Sequence, residues 1–104
     1  MDTLTKELQA FLVMMHYQPD RISHQMEHYM EHLLHLLPPD DEEAVLHYFG
    51  ILGHEQLSLN ELAQERSLSP EDMMQQIDQH LRRLAVTPEW QMLKTTEQNR
   101  KHNE

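Results

Sequence analysis

Two short helical patterns, joined by a tight break, lie between residues 57 and 84 and constrain the fold more than any other stretch. Ser58 stands before the first pattern and Glu61 follows three residues later, at the spacing of a capping box. Ser69 precedes the second pattern, where Pro70 and two acids suit the first turn of a helix. The apolar residues of the second pattern recur at helical spacing and predict a buried stripe, made of Met73, Ile77, Leu81 and Leu84. Helix, turn and capped helix is the layout of a helix-turn-helix.

A wider set of residues extends this pattern toward the N-terminus. The set consists of Phe49-Gly50, Gly53, Leu57-Ser58-Leu59, Glu61-Leu62-Ala63, Leu68-Ser69, Glu71, Gln75 and Leu81-Arg82-Arg83-Leu84. On these residues, the segment from Leu46 to Leu84 resembles region 4 of the bacterial sigma-70 factors, the part of those proteins that reads the upstream promoter element. The resemblance implies a helical domain with a role in transcription.

The charge of this segment departs from the family's pattern. In the family, the second helix is basic at its exposed N-terminal positions, whereas this chain has Pro70, Asp72, Met74, Gln76 and Asp78 there. Ten acids and three bases lie between residues 40 and 84, and the whole chain has a formal net charge of −10. Because proteins bind DNA mainly by neutralising phosphates, we expect DNA binding that is weak or depends on a partner. The candidates for DNA contact are Gln75, Gln76, Gln79, Arg82 and Arg83, since glutamine can read adenine.

The resemblance also implies a protein partner. In the sigma family, the helices ahead of this motif cradle the flap of the polymerase β subunit, so residues 45–52 are expected to contact RNA polymerase or a sigma factor. An acidic surface is in addition suited to a basic protein partner. The partner-binding candidates are Val45, Tyr48, Leu52, Asp72, Asp78 and Trp90. Full burial of the apolar members would place them in the core instead. For Trp90, a core position beneath the helix-turn-helix is the leading interpretation and an interface role is the alternative.

Two further amphipathic patterns cover residues 1–37 and predict an N-terminal helical hairpin. The first runs from Thr3 to Tyr17 and the second from Arg21 to Leu37. Leucine and methionine recur along both at helical spacing, so each stripe must bury against something. These stripes exceed what one small core needs, and we therefore also expect a homodimer through the hairpin.

The second of these helices carries four histidines on one face: His24, His28, His32 and His35. Imidazoles four residues apart on a helix can share one Zn²⁺, Ni²⁺ or Cu²⁺ ion. A structural zinc site requires about four ligands, which one straight helix rarely supplies. We therefore predict a solvated face without a dedicated metal site. Adventitious metal binding is one alternative, and a functional site or pH sensor is the other.

The composition predicts an all-α fold. Only two glycines occur, and leucine, methionine, glutamine and glutamate are abundant. We predict a small domain of about five helices, with the hairpin at residues 1–37, the sigma region 4-like helix-turn-helix at residues 38–93 and a polar flexible tail at residues 94–104. A short helix around Trp90 is expected to end the second segment.

Several motifs of enzymes and membrane proteins are absent from the sequence, which reduces the number of possible function classes. The chain has no cysteine, no glycine-rich phosphate loop and no G-x-S-x-G turn, so we expect neither catalysis nor a cofactor. It has no long apolar run, so we expect no membrane contact and a cytoplasmic location. The leading hypothesis is a small transcription regulator that acts mainly through protein–protein contacts rather than by independent DNA binding. The alternative is an acidic helical adaptor or chaperone-like protein, without a transcriptional role, that binds a partner helix along the stripes of the first two helices.

Overall fold

The protein is all-α in the computed structural model, which describes the backbone of residues 2–102 and the side chains of residues 2–96. The helices are α1 (Thr3–Tyr17), α2 (His24–Leu34), α3 (Pro39–Phe49), α4 (Leu59–Glu65), α5 (Pro70–Ala85) and α6 (Pro88–His102), and a 3₁₀ turn, Pro19–Arg21, joins α1 to α2. The predicted all-α class is therefore confirmed. Over residues 2–102, no helix combines the length and the apolar character that spanning a bilayer requires.

Side-chain caps lie at the start of five of the described helices, and one of them is the Thr87 hydroxyl, which accepts the amide N–H of Trp90 at 3.2 Å at the start of α6. Ser58 and Ser69 each accept, at 3.1 Å, the amide N–H of the residue three positions later, as the sequence predicts for α4 and α5. Asp2 and Ser23 cap α1 and α2 in the same way. Each of these bonds satisfies an amide that has no partner within its own helix.

Helix α5 lies at the centre of the fold and packs against α1, α3, α4 and α6. Its predicted apolar stripe is buried along its whole length, at Met73, Ile77, Leu81 and Leu84. Burying a side chain of this size contributes about 1.5–3 kcal/mol, so this helix supplies a large share of the stabilising burial. At one end of the core, Trp90 of α6 lies edge-on to Phe11 of α1, with ring centroids 6.0 Å apart.

The two N-terminal helices pack mainly on helices that come later in the chain. Among the helices, α1 makes its most extensive backbone contact with α5, and α2 makes its most extensive one with α6. Leu8 and Leu12 of α1, and Met26 and Met30 of α2, are all buried in a core that extends through the other helices. The expected division at residue 37 therefore does not correspond to a boundary in the core. The stripes are covered because α5 and α6 pack onto them.

Helix α6 continues past the point where the sequence predicts a polar tail. The expected helix ends near Leu93, whereas α6 runs to His102. Trp90 and Leu93 are buried and anchor its first turns, from which each further residue adds one backbone hydrogen bond. Lys94 Nζ lies 2.7 Å from Glu7 Oε2 of α1, so residue 94 docks on the fold. Residues 103 and 104 lie outside the described residues.

Candidate functional site

An open cleft of about 670 Å³ lies on the surface between α4 and α5, and we call it the α4–α5 cleft. Its apolar lining consists of Leu59, Pro70 and Met74, and its polar lining consists of Glu71, Gln75 and Asp78. Most of its surface is apolar, although three of its six residues are polar. A cleft of this kind can hold an apolar side chain next to a polar or charged group.

The turn between α4 and α5 brings the first residues of both helices to this surface. Ser67 has a left-handed backbone with φ of +57°, and the amide of Leu68 returns to the carbonyl of Ala63 at 2.8 Å. A left-handed residue closing a helix end in this way lets the chain reverse sharply. As a result, Leu59 at the start of α4 and Pro70 at the start of α5 line the same cleft.

Helix α3 supports the cleft from behind. The Tyr48 hydroxyl donates a hydrogen bond to Met74 Sδ at 3.6 Å, and both side chains are half-buried. Thioether sulfur is a weak acceptor, so this contact orients the Met74 side chain without locking it. Methionine at an open surface adapts to the shape of an apolar partner side chain.

The charged residues around the cleft are mainly acidic. Glu71 and Asp72 lie in the first turn of α5, where the helix dipole stabilises negative charge. Asp78 also lines the cleft, and its Oδ2 lies 3.0 Å from Arg82 Nε, so the charge of that arginine is partly compensated. A phosphate backbone would be repelled here, whereas a cationic side chain would be attracted.

The five candidates for DNA contact are spread along α5. Gln75 and Gln79 are exposed and Gln76 is half-buried, while Arg82 and Arg83 are exposed in the last turn. With a rise of 1.5 Å per residue, the arginines lie about 10 Å along the helix axis from Gln75. The two basic residues are thus separated from the N-terminal end of α5, where Glu71 and Asp72 lie.

Two of the partner-binding candidates are core residues, which corrects the expected partner contact of Val45 and agrees with the core position favoured for Trp90. Val45 has no exposed surface and Trp90 is 2% exposed, so neither side chain can reach a partner in the folded chain. Tyr48 and Leu52 are half-buried, and Asp72 is exposed. Of the six candidates, Asp78 lines the α4–α5 cleft, and Tyr48 contacts it through Met74.

A second cavity, of about 320 Å³, lies where the connection between α3 and α4 meets α1 and α2. Its lining includes Met15, His16, Ile22, Glu27, Glu31 and Leu52. His16 Nδ1 lies 2.9 Å from the carbonyl oxygen of Gly50 and ties α1 to this connection. Leu52 has φ of +55°, an uncommon conformation for a residue other than glycine. The sequence patterns did not predict this cavity. The glycines at 50 and 53 indicated only that the chain turns sharply there.

His80 is a buried titratable residue that sequence analysis also missed. It lies on α5 three residues after Ile77 and four before Leu84, on the face that carries the apolar stripe. Its spacing from Ile77 and Leu84 could have predicted its burial from the sequence, because a residue on the same helix face as a buried stripe is buried with it. Burial lowers the pKa of His80 below its ordinary value.

His24, His28 and His32 of α2, and His35 just after its last residue, are exposed, and the four imidazoles do not form one cluster. His28 and His32 approach each other, with their Nε2 atoms 3.1 Å apart. His35 Nδ1 lies 2.6 Å from Glu42 Oε2 of α3, and His24 is directed toward Glu27. Within the described residues, no three histidine or acidic side chains are placed so that they could hold one metal ion.

Fold and site together define an all-α domain whose central helix borders an apolar cleft with acidic residues around it. Comparisons with protein families, curated proteins and solved structures gave no match to this chain.

Proposed function

We propose that this chain is a small transcription regulator in which α4 and α5 form a sigma region 4-like helix-turn-helix that acts through protein contacts rather than by independent DNA binding. The observation that carries the proposal is the α4–α5 cleft, whose apolar lining and acidic neighbours suit a protein segment better than a phosphate backbone. The resemblance of residues 46–84 to sigma region 4 indicates the transcription machinery as the context. The partner is then RNA polymerase or a sigma factor.

The partner segment that fits the cleft has an apolar residue next to a lysine or arginine. Leu59 and Met74 contact the apolar side chain, and Glu71 attracts the cation, while Asp78 is already paired with Arg82. The desolvated apolar contact supplies most of the affinity, while the charges at the edge increase the association rate and the specificity. Binding should therefore weaken, without disappearing, when salt screens the exposed charges.

A pull-down against purified RNA polymerase core and holoenzyme, in low and moderate salt, tests this proposal. We expect the wild-type protein to be retained and Glu71→Lys to be retained less, because the substitution reverses a charge in the cleft. Glu89→Lys is the matched control. Both glutamates are exposed and follow the proline that begins their helix, but Glu89 lies on α6 and does not line the cleft.

The outcomes of the pull-down separate the cleft from overall charge. Loss of retention in Glu71→Lys alone supports the cleft as the binding surface. Equal loss in both variants would mean that net charge governs retention. Failure of the wild-type protein to bind polymerase in either salt would overturn polymerase as the partner.

A second experiment tests whether charge alone keeps α5 from binding DNA. In the double variant Asp72→Lys and Asp78→Lys, α5 gains two bases and Arg82 loses its partner, so we expect salt-dependent binding to promoter duplexes by fluorescence anisotropy. The control is the double variant Glu43→Lys and Glu89→Lys, which has the same net charge with the reversals outside α5. Equal DNA binding by both variants would contradict a sigma-like orientation of α5.

The adaptor alternative has less support. It depends on the leucine and methionine stripes of α1 and α2 as an open groove, and most members of those stripes are buried within the chain, with Leu36 exposed and Leu4 half-buried. The predicted homodimer depended on the same stripes, so it stays a prediction without an exposed surface of that kind to carry it. Sedimentation of the protein at high concentration tests it directly, and a strict monomer would remove it.

A further inference from the structure

Two exposed histidines of α2 meet at close range. The Nε2 atoms of His28 and His32 are 3.1 Å apart, and the two ring planes are inclined at 83°. When both rings are neutral, one of them donates a hydrogen bond to the other. Because both side chains are exposed, an ion from solution can reach these nitrogens without any opening of the core.

The same separation suits two ligands of one metal ion. Imidazole nitrogens bind Zn²⁺ at about 2.0–2.1 Å, and two nitrogens 3.1 Å apart then subtend an angle of about 95–102° at the ion. This angle lies between those of neighbouring ligands in octahedral and tetrahedral coordination. Both lone pairs must point to the ion, so one ring turns away from its present hydrogen bond, and exposure leaves it free to do so.

We propose that His28 and His32 form a two-histidine site for a divalent transition metal ion of the class that prefers imidazole, namely Ni²⁺, Cu²⁺ or Zn²⁺. The folded helix already holds the two side chains as neighbours, so binding requires little further ordering. The remaining coordination positions are open to water or to a ligand from another molecule. The net charge of −10 favours the approach of a cation.

The other two histidines of this face lie outside the site. His35 Nδ1 is 2.6 Å from the carboxylate of Glu42, and His24 Nδ1 is 3.9 Å from that of Glu27. Each is engaged with a carboxylate rather than directed at the pair. In a two-histidine site, only His28 and His32 contribute to the metal affinity. In a diffuse histidine face, all four imidazoles would contribute equally.

Titration of metal-free, tag-free protein with NiCl₂ or ZnCl₂ at about pH 7.5, where imidazole is mostly neutral, tests the proposal. We expect calorimetry to give one ion per chain and thermal melting to show stabilisation, because the ion binds the folded helix in preference to the unfolded chain. His28→Gln and His32→Gln should each weaken the affinity by about tenfold or more, since even loss of an outer-shell partner costs about that much. His24→Gln, an exposed histidine on the same helix, should bind like the wild type.

Three results would overturn the proposal. These are no binding at metal concentrations up to about 1 mM, wild-type affinity in His28→Gln and His32→Gln, or an equal loss in His24→Gln. Circular dichroism of the metal-free variants separates loss of the site from loss of the helix. Paramagnetic Ni²⁺ should also broaden the imidazole NMR signals of His28 and His32 before those of His24 and His35, which tests the site without any substitution.

Discussion

His80 Nε2 of α5 lies 3.5 Å from Asp41 Oδ1 of α3, and this buried nitrogen makes no hydrogen bond with any described residue. Burial is the main reason why the pKa of His80 lies below its ordinary value. The Asp41 carboxylate opposes this shift, and the guanidinium groups of Arg83 and Arg66 add to it. The fold thus favours the neutral form of a histidine that is packed between two helices.

Stability should therefore fall in mild acid partly because of His80. Since the pKa of His80 is lower in the folded state, the unfolded chain takes up the proton first as the pH drops below about 6.5. The stabilisation by neutral His80 is complete above that pH and is lost as the pH falls through the lowered folded-state pKa. We expect His80→Gln to reduce the slope of the free energy of unfolding against pH, measured by urea denaturation between about pH 7 and pH 5. His24→Gln, at an exposed position, should keep the wild-type slope, and identical slopes in all three proteins would contradict this role of His80.

Trp90 should be essential to the core rather than to an interface. Replacing Trp90 by alanine removes its contact with Phe11 and leaves a cavity, so the free energy of unfolding should fall by about 3–5 kcal/mol. Met92→Ala, two residues along the same helix, removes a side chain that is 72% exposed and should cost less than about 0.5 kcal/mol. Urea denaturation followed by circular dichroism measures both. A Trp90→Ala cost close to that of Met92→Ala would show that the ring is not part of the core.

The two glycines of the connection between α3 and α4 should differ in their tolerance of a side chain. Both have positive φ, +65° at Gly50 and +82° at Gly53, so alanine is strained by about 1–2 kcal/mol at either position. A Cβ at Gly50 would also lie 2.5 Å from Cβ of Gln56, whereas a Cβ at Gly53 would have no atom within 4 Å. We expect Gly50→Ala to be the more destabilising by about 1–3 kcal/mol, as in an overpacked core. Equal costs in thermal denaturation would mean that the connection moves freely away from Gln56.

Ser67 should be a site where glycine stabilises the fold. It follows the end of α4 with φ of +57°, a conformation that costs a residue other than glycine about 1–2 kcal/mol. Glycine recovers this strain but loses about 0.5–1 kcal/mol in backbone entropy. We therefore expect Ser67→Gly to raise the free energy of unfolding by up to about 1 kcal/mol, while Ser67→Ala keeps the strain and brings no gain. A destabilised Ser67→Gly protein would indicate that the serine side chain has a role that its exposure does not suggest.

Local features of the chain were predictable from the sequence. The caps at Ser58 and Ser69 depend on atoms three residues apart, and both hydrogen bonds are present as expected. The apolar period from Met73 to Leu84 also required only the geometry of one helix, and its members are buried. The acidic character of α5 was readable in the same way, since charge belongs to the composition.

Contacts between distant parts of the chain were not predictable in this way. The stripes of α1 and α2 indicated how much apolar surface must be covered but not which helices cover it, and α5 and α6 cover much of it. Val45 and Trp90 are apolar side chains that can serve a core or an interface, and both are in the core. The end of α6 was misjudged because its polar residues lack a period, while its helix propagates from an anchored first turn.

The sequence by itself therefore determined the helices, their caps, their apolar faces and the charge of each segment, because these depend on neighbours within about one helical turn. Only the tertiary structure decided that the α4–α5 cleft combines Leu59 with Asp78, that His80 meets Asp41, and that Trp90 closes on Phe11. These pairs are separated by many residues along the chain, and hydrophobic burial is not directional. Amphipathic patterns specify that apolar faces must be buried. The packing of the six described helices decides which residues contact each other.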